Sequence, residues 1–172
     1  MAHTEDYMRR QIAAILQLRS LTKCIKEDRV PCQIEEGLFL GSVGAANNKD
    51  EVKRLNITHI LVVAKSIGPA YPTEFVYKVI EVTDKEDVNI RQHFDECCEF
   101  INEAKSQGGG VLVHCFMGRS RSVSVVVAYL MKKHGMSLSQ AMEHVKSKRP
   151  QASPNSGFLS QLQEYEKSLG TA

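Results

Sequence analysis

Short apolar runs alternate with amphipathic helical patterns after Pro31, and this alternation constrains the fold more than any other feature of the chain. The runs have the composition of strands and lie at 38–40, 60–63, 76–80 and 111–113. Apolar residues recur with helical spacing in three stretches, Phe94–Ile101, Leu138–Val145 and Phe158–Leu169. Strands that alternate with helices favour an α/β fold, with a central, mostly parallel sheet and helices on both faces.

The length and composition suit a single globular domain. The chain has 172 residues, enough for one domain with a sizeable core, and its 42% hydrophobic and 24% charged residues exclude the disordered and low-complexity classes. The formal charge of +2 is too small to indicate nucleic-acid binding by bulk electrostatics. We therefore expect one domain over residues 31–172, preceded by an N-terminal helical extension over residues 1–30.

The cysteines and histidines give no sign of a disulfide framework or a metal. The five cysteines are odd in number and contain no C-x-x-C pair, and four of them are expected to be ordinary core or surface residues, namely Cys24, Cys32, Cys97 and Cys98. The histidines lack metal-ligand spacing, so we predict no metal and no other cofactor. Without a signal peptide or membrane span, the chain is expected in the cytoplasm or the nucleus.

The strongest functional pattern follows the strand at 111–113. The string His114-Cys115-Phe116-Met117-Gly118-Arg119-Ser120-Arg121-Ser122 comes next, and then the apolar stretch 123–131. Its β-branched residues would also suit a strand, but the stretch continues past strand length towards Gly135, so we predict a helix. A strand, a loop and a helix in this order place backbone N–H groups and the positive end of a helix dipole at an anion site.

The residue types in this string fit a phosphate site with a nucleophile. A bare C-x5-R arises by chance roughly one time in four in such a chain, whereas the string with its His, Gly and Ser arises about once in twenty thousand. A free cysteine is only about 3% thiolate at pH 7, and a pKa lowered by about three units makes it almost wholly thiolate. Loop amides and Arg121 can supply that shift and bind phosphoryl oxygens, and Gly118 lets the loop turn.

Displacing an alcohol or phenol from phosphorus also requires a proton donor. Asp84 is our candidate, because it follows the apolar stretch 79–82, which we predict to be a strand, and open α/β sheets place their sites where strands end. Glu86 and Asp87 lie in the same loop and remain alternatives.

The segment His114–Ser122 resembles the signature of the cysteine-based dual specificity protein phosphatases, in their small form without a docking domain. Residues 150–158, with Pro154-Asn155 and Gly157-Phe158, are similar to that family's ending, and residues 37–41, residues 57–61 and the Asp84 loop match in order. The resemblance therefore covers roughly residues 32–169. It implies a central sheet with helices on both faces.

The same resemblance implies roles for the site residues. Cys115 would be the nucleophile, Arg121 would bind phosphate and Asp84 would be the general acid. Ser122 would help the thiolate to leave, His114 would orient the loop and Asn155 would brace it. The remaining loop residues would contact the substrate phosphate, namely Phe116, Met117, Gly118, Arg119 and Ser120.

The resemblance implies hydrolysis of phosphotyrosine and of phosphoserine or phosphothreonine in proteins, with MAP kinases as frequent substrates of the family. The chain has no Trp, so the tryptophan-containing acid loop of the larger tyrosine-specific enzymes is absent. Two alternatives stay open. One is a phosphatase for inositol lipids or another non-protein substrate, and the other is a module that binds phosphoproteins without turnover.

Residues 5–26 form a basic, imperfectly amphipathic helical pattern with two interpretations. The helix could simply pack on the domain. It could instead bind calmodulin or a membrane surface, because Met8, Ile15 and Leu21 have 1-8-14 spacing among basic residues.

Overall fold

The computed structural model describes residues 2–170 and contains a five-stranded sheet. Its strands are β1 (Cys32–Glu35), β2 (Leu38–Gly41), β3 (Ile57–Val63), β4 (Val76–Ile80) and β5 (Gly110–His114). Their order is β1-β2-β5-β3-β4; β1 runs antiparallel to β2, and the other neighbours are parallel. The mostly parallel sheet is confirmed, whereas β1 was not predicted.

Seven α-helices and one short 3₁₀ helix (Arg91–His93) accompany the sheet within the described residues. The α-helices are α1 (Ala2–Glu27), α2 (Val43–Ala46), α3 (Lys49–Arg54), α4 (Phe94–Ser106), α5 (Arg121–His134), α6 (Leu138–Lys148) and α7 (Ser156–Ser168). The helix choice for residues 123–131 is confirmed, and Gly135 ends α5 with a left-handed φ of 65°. The short helices α2 and α3 were not predicted, because four to six residues carry no helical period.

Alternate residues of the central strands face two separate apolar layers, as a strand's period of two requires. One face packs against α4 to α7 through Leu38, Leu40, Leu61, Val63, Val111 and Val113. The other packs against α2 and α3 through Phe39, Ile60, Val62 and Leu112. Helices therefore cover both faces, as predicted.

Helix α1 contacts the domain only near its C-terminal end. Residues 3–19 are exposed, while Cys24 is buried and α1 packs against α2. No helix within residues 2–170 combines the length and the apolar character that a membrane crossing requires.

The five cysteines are all free thiols. Cys97 and Cys98 are buried on α4, and burial raises the pKa of both, that of Cys98 to about 12. These two thiols are therefore protonated at neutral pH and belong to the core, as expected.

Candidate active site

The loop 115–120 leaves the sheet at the carboxyl edge of its parallel strands. β5 lies between β2 and β3, and His114 at its end is level with Gly41 of β2 and Val62 of β3. Cys115 comes directly after β5 and is 2% exposed, and α5 begins at Arg121. The loop thus occupies the position where open α/β sheets bind their ligands.

Every carbonyl of this loop accepts a hydrogen bond from a group behind it. The carbonyl of Cys115 accepts from His114 Nδ1 (3.0 Å) and that of Phe116 from Val43 N (3.0 Å). The carbonyls of Met117 and Gly118 accept from Arg149, through Nη2 (3.0 Å) and Nε (2.7 Å) respectively. The carbonyl of Arg119 accepts from Ser153 N (2.7 Å) and that of Ser120 from Ser124 N (2.9 Å). In a trans peptide the C=O and the following N–H point in opposite directions. The amides of residues 116–121 are therefore directed away from these donors, and none of them has a hydrogen-bond partner within residues 2–170.

Gly118 lies where the loop packs closely against β2. Its φ is +64°, and a Cβ there would lie 2.5 Å from the carbonyl oxygen of Gly41. A side chain cannot be accommodated without moving β2 or the loop, so this position requires glycine.

The nucleophile predicted from sequence has a hydroxyl partner. Cys115 Sγ lies 3.1 Å from Ser122 Oγ, and Ser122 is fully buried in the first turn of α5. A hydroxyl at this distance can donate to a thiolate, so the arrangement fits a sulfur that carries negative charge as the attacking and the leaving group.

Arg121 is held by one end of its guanidinium. Nη1 donates to the carbonyl of Val82 at 3.2 Å, while Nε is buried without a hydrogen-bond partner within residues 2–170. Nη2 has no such partner either. The Nε and Nη2 pair forms a planar fork that matches two oxygens of a phosphate group.

Asp84 is connected to the loop and to α7. Its Oδ1 accepts hydrogen bonds from Ser120 Oγ at 2.7 Å and from Asn155 Nδ2 at 2.9 Å, and Ser120 Oγ also accepts from Asn155 N at 2.9 Å. Asp84 lines the same cleft as Cys115 and Arg121. Its Oδ2 has no partner within the described residues, so this oxygen is available for proton transfer.

The prediction of a strand over residues 79–82 was wrong about where the strand ends. β4 stops at Ile80, and Val82 N turns back to the carbonyl of Ile80 at 3.1 Å. The turn points the carbonyl of Val82 at Arg121 and brings Asp84 to the cleft. Of the alternative acids, Glu86 accepts a hydrogen bond from Ser156 at 2.7 Å, and neither it nor Asp87 lines the cleft.

Asn155 supports the acid through its side chain. The Nδ2 amide donates to Asp84, and Oδ1 caps α7 by accepting from Phe158 N at 2.8 Å. Its contact with the phosphate-binding loop is made by the backbone N–H, which donates to Ser120.

His114 lies behind Cys115 and is fully buried. Burial lowers its pKa to about 4; the hydrogen bond to the carbonyl of Cys115 opposes that shift, and the nearby charge of Arg121 adds to it. The imidazole is therefore neutral near pH 7, with Nδ1–H donating to the loop.

The cleft above Cys115 has a volume of about 1230 Å³ and includes α1 in its wall. Leu18, Leu21 and Ile25 of α1 line this cleft together with the loop residues Phe116 and Met117. Ser20 Oγ also lies 3.7 Å from Met117 Sδ. The N-terminal extension is thus part of the site's surroundings.

Sequence reasoning missed Arg149 and Asp28, which lie beneath the loop. A single Arg before a Pro carries no signal of such a role, and the two residues are far apart in the chain. No group of three His, Cys, Asp or Glu side chains within residues 2–170 could hold a metal ion.

The α/β fold and a phosphate-shaped loop that begins with a buried cysteine are the arrangement of the cysteine-based phosphatases. The family model "Dual specificity phosphatase, catalytic domain" matches residues 38–168. The chain therefore belongs to the dual specificity phosphatase family and is a protein phosphatase.

Individual relatives agree with this assignment. Dual specificity protein phosphatase 1 of Arabidopsis thaliana is 60% identical over 164 residues, covering 95% of this chain and 83% of the relative. MAP kinase phosphatase with leucine-rich repeats protein 3 of Dictyostelium discoideum is 44% identical over 81% of this chain and 16% of its own length. The crystal structure of human DUSP28 matches with a TM-score of 0.78 and 38% identity, over 81% of this chain and 95% of that one.

Proposed function

We propose that this phosphatase hydrolyses both phosphotyrosine and phosphoserine or phosphothreonine in proteins, through a cysteinyl-phosphate intermediate. The observation that carries the proposal is the run of six amides, 116–121, directly after Cys115, none of which has a hydrogen-bond partner in the described part of the chain. Such an array binds the phosphoryl oxygens and makes no demand on the group attached to phosphorus. The same loop can therefore accept phosphate esters of different amino acids.

In the first step the sulfur of Cys115 attacks phosphorus, and the bond from phosphorus to the ester oxygen breaks. Arg121 and the loop amides bind the three equatorial oxygens as the phosphoryl group moves. Asp84 donates its proton to the leaving oxygen, which departs as an alcohol or a phenol. The products of this step are the dephosphorylated protein and a thiophosphate ester on Cys115.

In the second step water attacks the thiophosphate. Asp84, now ionised, takes a proton from the water, and the bond between sulfur and phosphorus breaks to release inorganic phosphate. Ser122 stabilises the departing thiolate by donating a hydrogen bond to it from 3.1 Å, without losing its proton. The enzyme returns to its starting state with Asp84 protonated.

Turnover of p-nitrophenyl phosphate tests the proposal against a module that only binds phosphoproteins. Wild-type protein should release nitrophenol, and Cys115→Ser should release none, because a hydroxyl at this position is not ionised near neutral pH. Acid quenching of Asp84→Ala during turnover should leave a phosphoryl group on Cys115, detected by mass spectrometry. A wild-type protein that binds phosphate without releasing nitrophenol would contradict the proposal.

MAP kinases are the protein substrates that we propose. Support comes from the family resemblance and from the relative named as a MAP kinase phosphatase. Besides Arg121, the loop contains one further cation, Arg119. Two cations match a single phosphate ester better than an inositol-lipid headgroup that carries several phosphates. A doubly phosphorylated activation-loop peptide should be hydrolysed with a higher kcat/KM than inositol lipids or RNA 5′-phosphates; the reverse order would favour the non-protein alternative.

We infer that α1 also binds calmodulin. Met8 and Ile15 are 55% and 51% exposed, and the basic side chains Arg9, Arg10 and Arg19 are exposed beside them. Leu21, the third residue of the 1-8-14 spacing, is half-buried at the cleft, so full engagement requires the last turns of α1 to leave the domain. Apolar anchors next to basic residues match an acidic partner with hydrophobic pockets.

Calorimetric titration of the whole chain with calmodulin tests this interaction. Heat of binding is expected with calcium and should disappear when a chelator removes it. Met8→Asp with Ile15→Asp should abolish the heat, whereas Val30→Asp, an exposed apolar position outside α1, should not. Binding that the α1 substitutions leave unchanged would contradict the assignment.

We also propose a cytoplasmic or nuclear location, for which the five free cysteines are the support. Imaging of a fluorescent fusion tests it, and accumulation in a secretory compartment would contradict it.

A further inference from the structure

Arg149 has the largest fully buried side chain among residues 3–170 and lies directly under the phosphate-binding loop. It is 1% exposed, and its guanidinium donates to two consecutive loop carbonyls, those of Met117 and Gly118, at 3.0 and 2.7 Å. Asp28 binds the end of the guanidinium, where Oδ2 accepts from Nη2 at 2.6 Å and Oδ1 accepts from Nη1 at 3.4 Å. We propose that Arg149 is a positioning residue for the phosphate-binding loop and that Asp28 holds it in place.

The two carbonyls that Arg149 holds are at the apex of the loop. Fixing them behind the loop directs the amides of Gly118 and Arg119 into the cleft, because each peptide unit is planar and trans. This is also the segment with the left-handed backbone at Gly118, where no regular secondary structure stabilises the chain. Arg149 therefore sets the direction of two of the six phosphate-binding amides.

Only an arginine with a counterion can perform this task. A planar guanidinium reaches two neighbouring carbonyls and a carboxylate at once, a geometry that the ammonium of lysine does not reproduce. A cation buried to this extent is costly without an opposite charge. Asp28 supplies it and raises the pKa of Arg149 against the effect of burial.

Asp28 connects the loop to the end of α1. It is the residue after Glu27, its N–H donates to the carbonyl of Cys24 at 3.0 Å, and its own carbonyl accepts from Ser42 Oγ at 3.0 Å. Asp28 lies outside residues 38–168, the part that the family model matches. The placement of the phosphate-binding loop thus depends on a residue of the N-terminal extension.

The proposal rests on the proposed function, since it names a positioning residue for the same reaction. The test uses Asp28→Asn and Arg149→Lys in the whole chain, with Glu35→Gln as the matched control. Glu35 is a partly buried carboxylate that pairs with Lys105 at 2.6 Å, away from the loop. Binding of orthovanadate is measured by calorimetry, and kcat and KM are measured separately with p-nitrophenyl phosphate.

Both loop variants should bind vanadate roughly ten- to a hundredfold more weakly, the effect of losing one charge-assisted hydrogen bond, and KM should rise by a larger factor than kcat falls. Asp28→Glu, which keeps the charge, should recover part of the affinity. Glu35→Gln should lower the melting temperature and leave vanadate affinity and KM unchanged.

The outcomes separate this proposal from the proposed function. Equal losses of vanadate affinity in Asp28→Asn and Glu35→Gln would mean general destabilisation and would overturn the positioning role. Unchanged vanadate affinity in Asp28→Asn or in Arg149→Lys would overturn it as well. A wild-type protein that binds vanadate but releases no nitrophenol would contradict the proposed function, while the binding comparison among the variants would still decide the role of Arg149.

Discussion

At the scale of single residues, Ser120 connects the phosphate-binding loop to the general acid Asp84. Its backbone belongs to the phosphate-binding loop, while its hydroxyl donates to Asp84 Oδ1. Because Oδ1 is occupied by two donors, the proton that Asp84 transfers resides on Oδ2. The acid is thereby oriented by the same loop that holds the phosphate.

Replacing Asp84 with Ala should slow turnover according to the leaving group. With phenyl phosphate we expect kcat/KM, which reports the first step, to fall about 10²- to 10⁴-fold, because general acid catalysis is lost. With p-nitrophenyl phosphate the loss in kcat/KM should be much smaller, since nitrophenolate leaves without a proton. Steady-state kinetics with both substrates measures the difference, and Glu86→Ala serves as the control; an equal loss in that variant would assign the acid role to Glu86.

His114 makes the stability of the protein depend on pH. Its pKa is lowered to about 4 in the folded protein, from 6.5, so below pH 6.5 the unfolded chain binds a proton that the folded protein does not. The free energy of unfolding should therefore decrease as the pH falls from 6.5 to 4, by about 3 kcal/mol from this residue.

Urea denaturation at a series of pH values measures the effect. His114→Asn retains a donor for the loop but cannot titrate, so its stability should change less over this range than that of the wild type. His3→Asn, on the exposed part of α1, should behave like the wild type. Parallel curves for wild type and His114→Asn would show that His114 is not the titrating group.

At the scale of secondary structure, the residue that caps the N-terminus of α7 also serves the active site. Asn155 caps the helix and holds Asp84, whereas Ser137 caps α6 in a capping box that has no contact with the cleft. A comparison of substitutions at the two caps therefore separates the effect of a cap on helix stability from its effect on the position of Asp84.

Asn155→Ala and Ser137→Ala should each lower the free energy of unfolding by about 1 kcal/mol, the usual effect of losing an N-cap. Only Asn155→Ala should also reduce kcat for phenyl phosphate, because Asp84 loses a hydrogen bond. Chemical denaturation and kinetics measure the two effects. Equal activity in both variants would show that Asn155 acts as a helix cap alone.

The long elements could be predicted from the sequence, because α4, α6 and α7 carry several turns of helical period and the central strands are largely apolar. α5 is buried on all sides and has no such period, and it was predicted from its length and from Gly135. Short elements such as α2 and β1 carry too few residues for a period to appear. The end of β4 was misplaced because Val82 is apolar like a strand residue, yet it is buried in a turn. The pairing of Asp28 with Arg149 is a tertiary contact that no local pattern encodes.

At the scale of the whole molecule, α1 extends well beyond the domain. Its 26 residues span roughly 39 Å at about 1.5 Å per residue, and residues 3–19 are exposed throughout. The helix therefore receives little stabilisation from tertiary packing over most of its length, and isolated helical turns are marginal in water.

Hydrogen exchange should divide the protein into two regions. Amides of residues 3–19 should exchange far faster than those of α5, which is buried over most of its length. Trypsin should accordingly cleave first after Arg9, Arg10 or Arg19. Slow exchange across residues 3–19 at low protein concentration would contradict this picture of a weakly supported helix.

The carbonyls of the phosphate-binding loop accept hydrogen bonds from residues as distant in the chain as Val43 and Ser153. Only a fragment that spans at least residues 43–153 contains all of these partners, so the loop cannot take its shape before the sheet, α2 and the segment after α6 have assembled. Recovery of catalysis during refolding is thus a late event: chains that are collapsed but not fully native should be inactive.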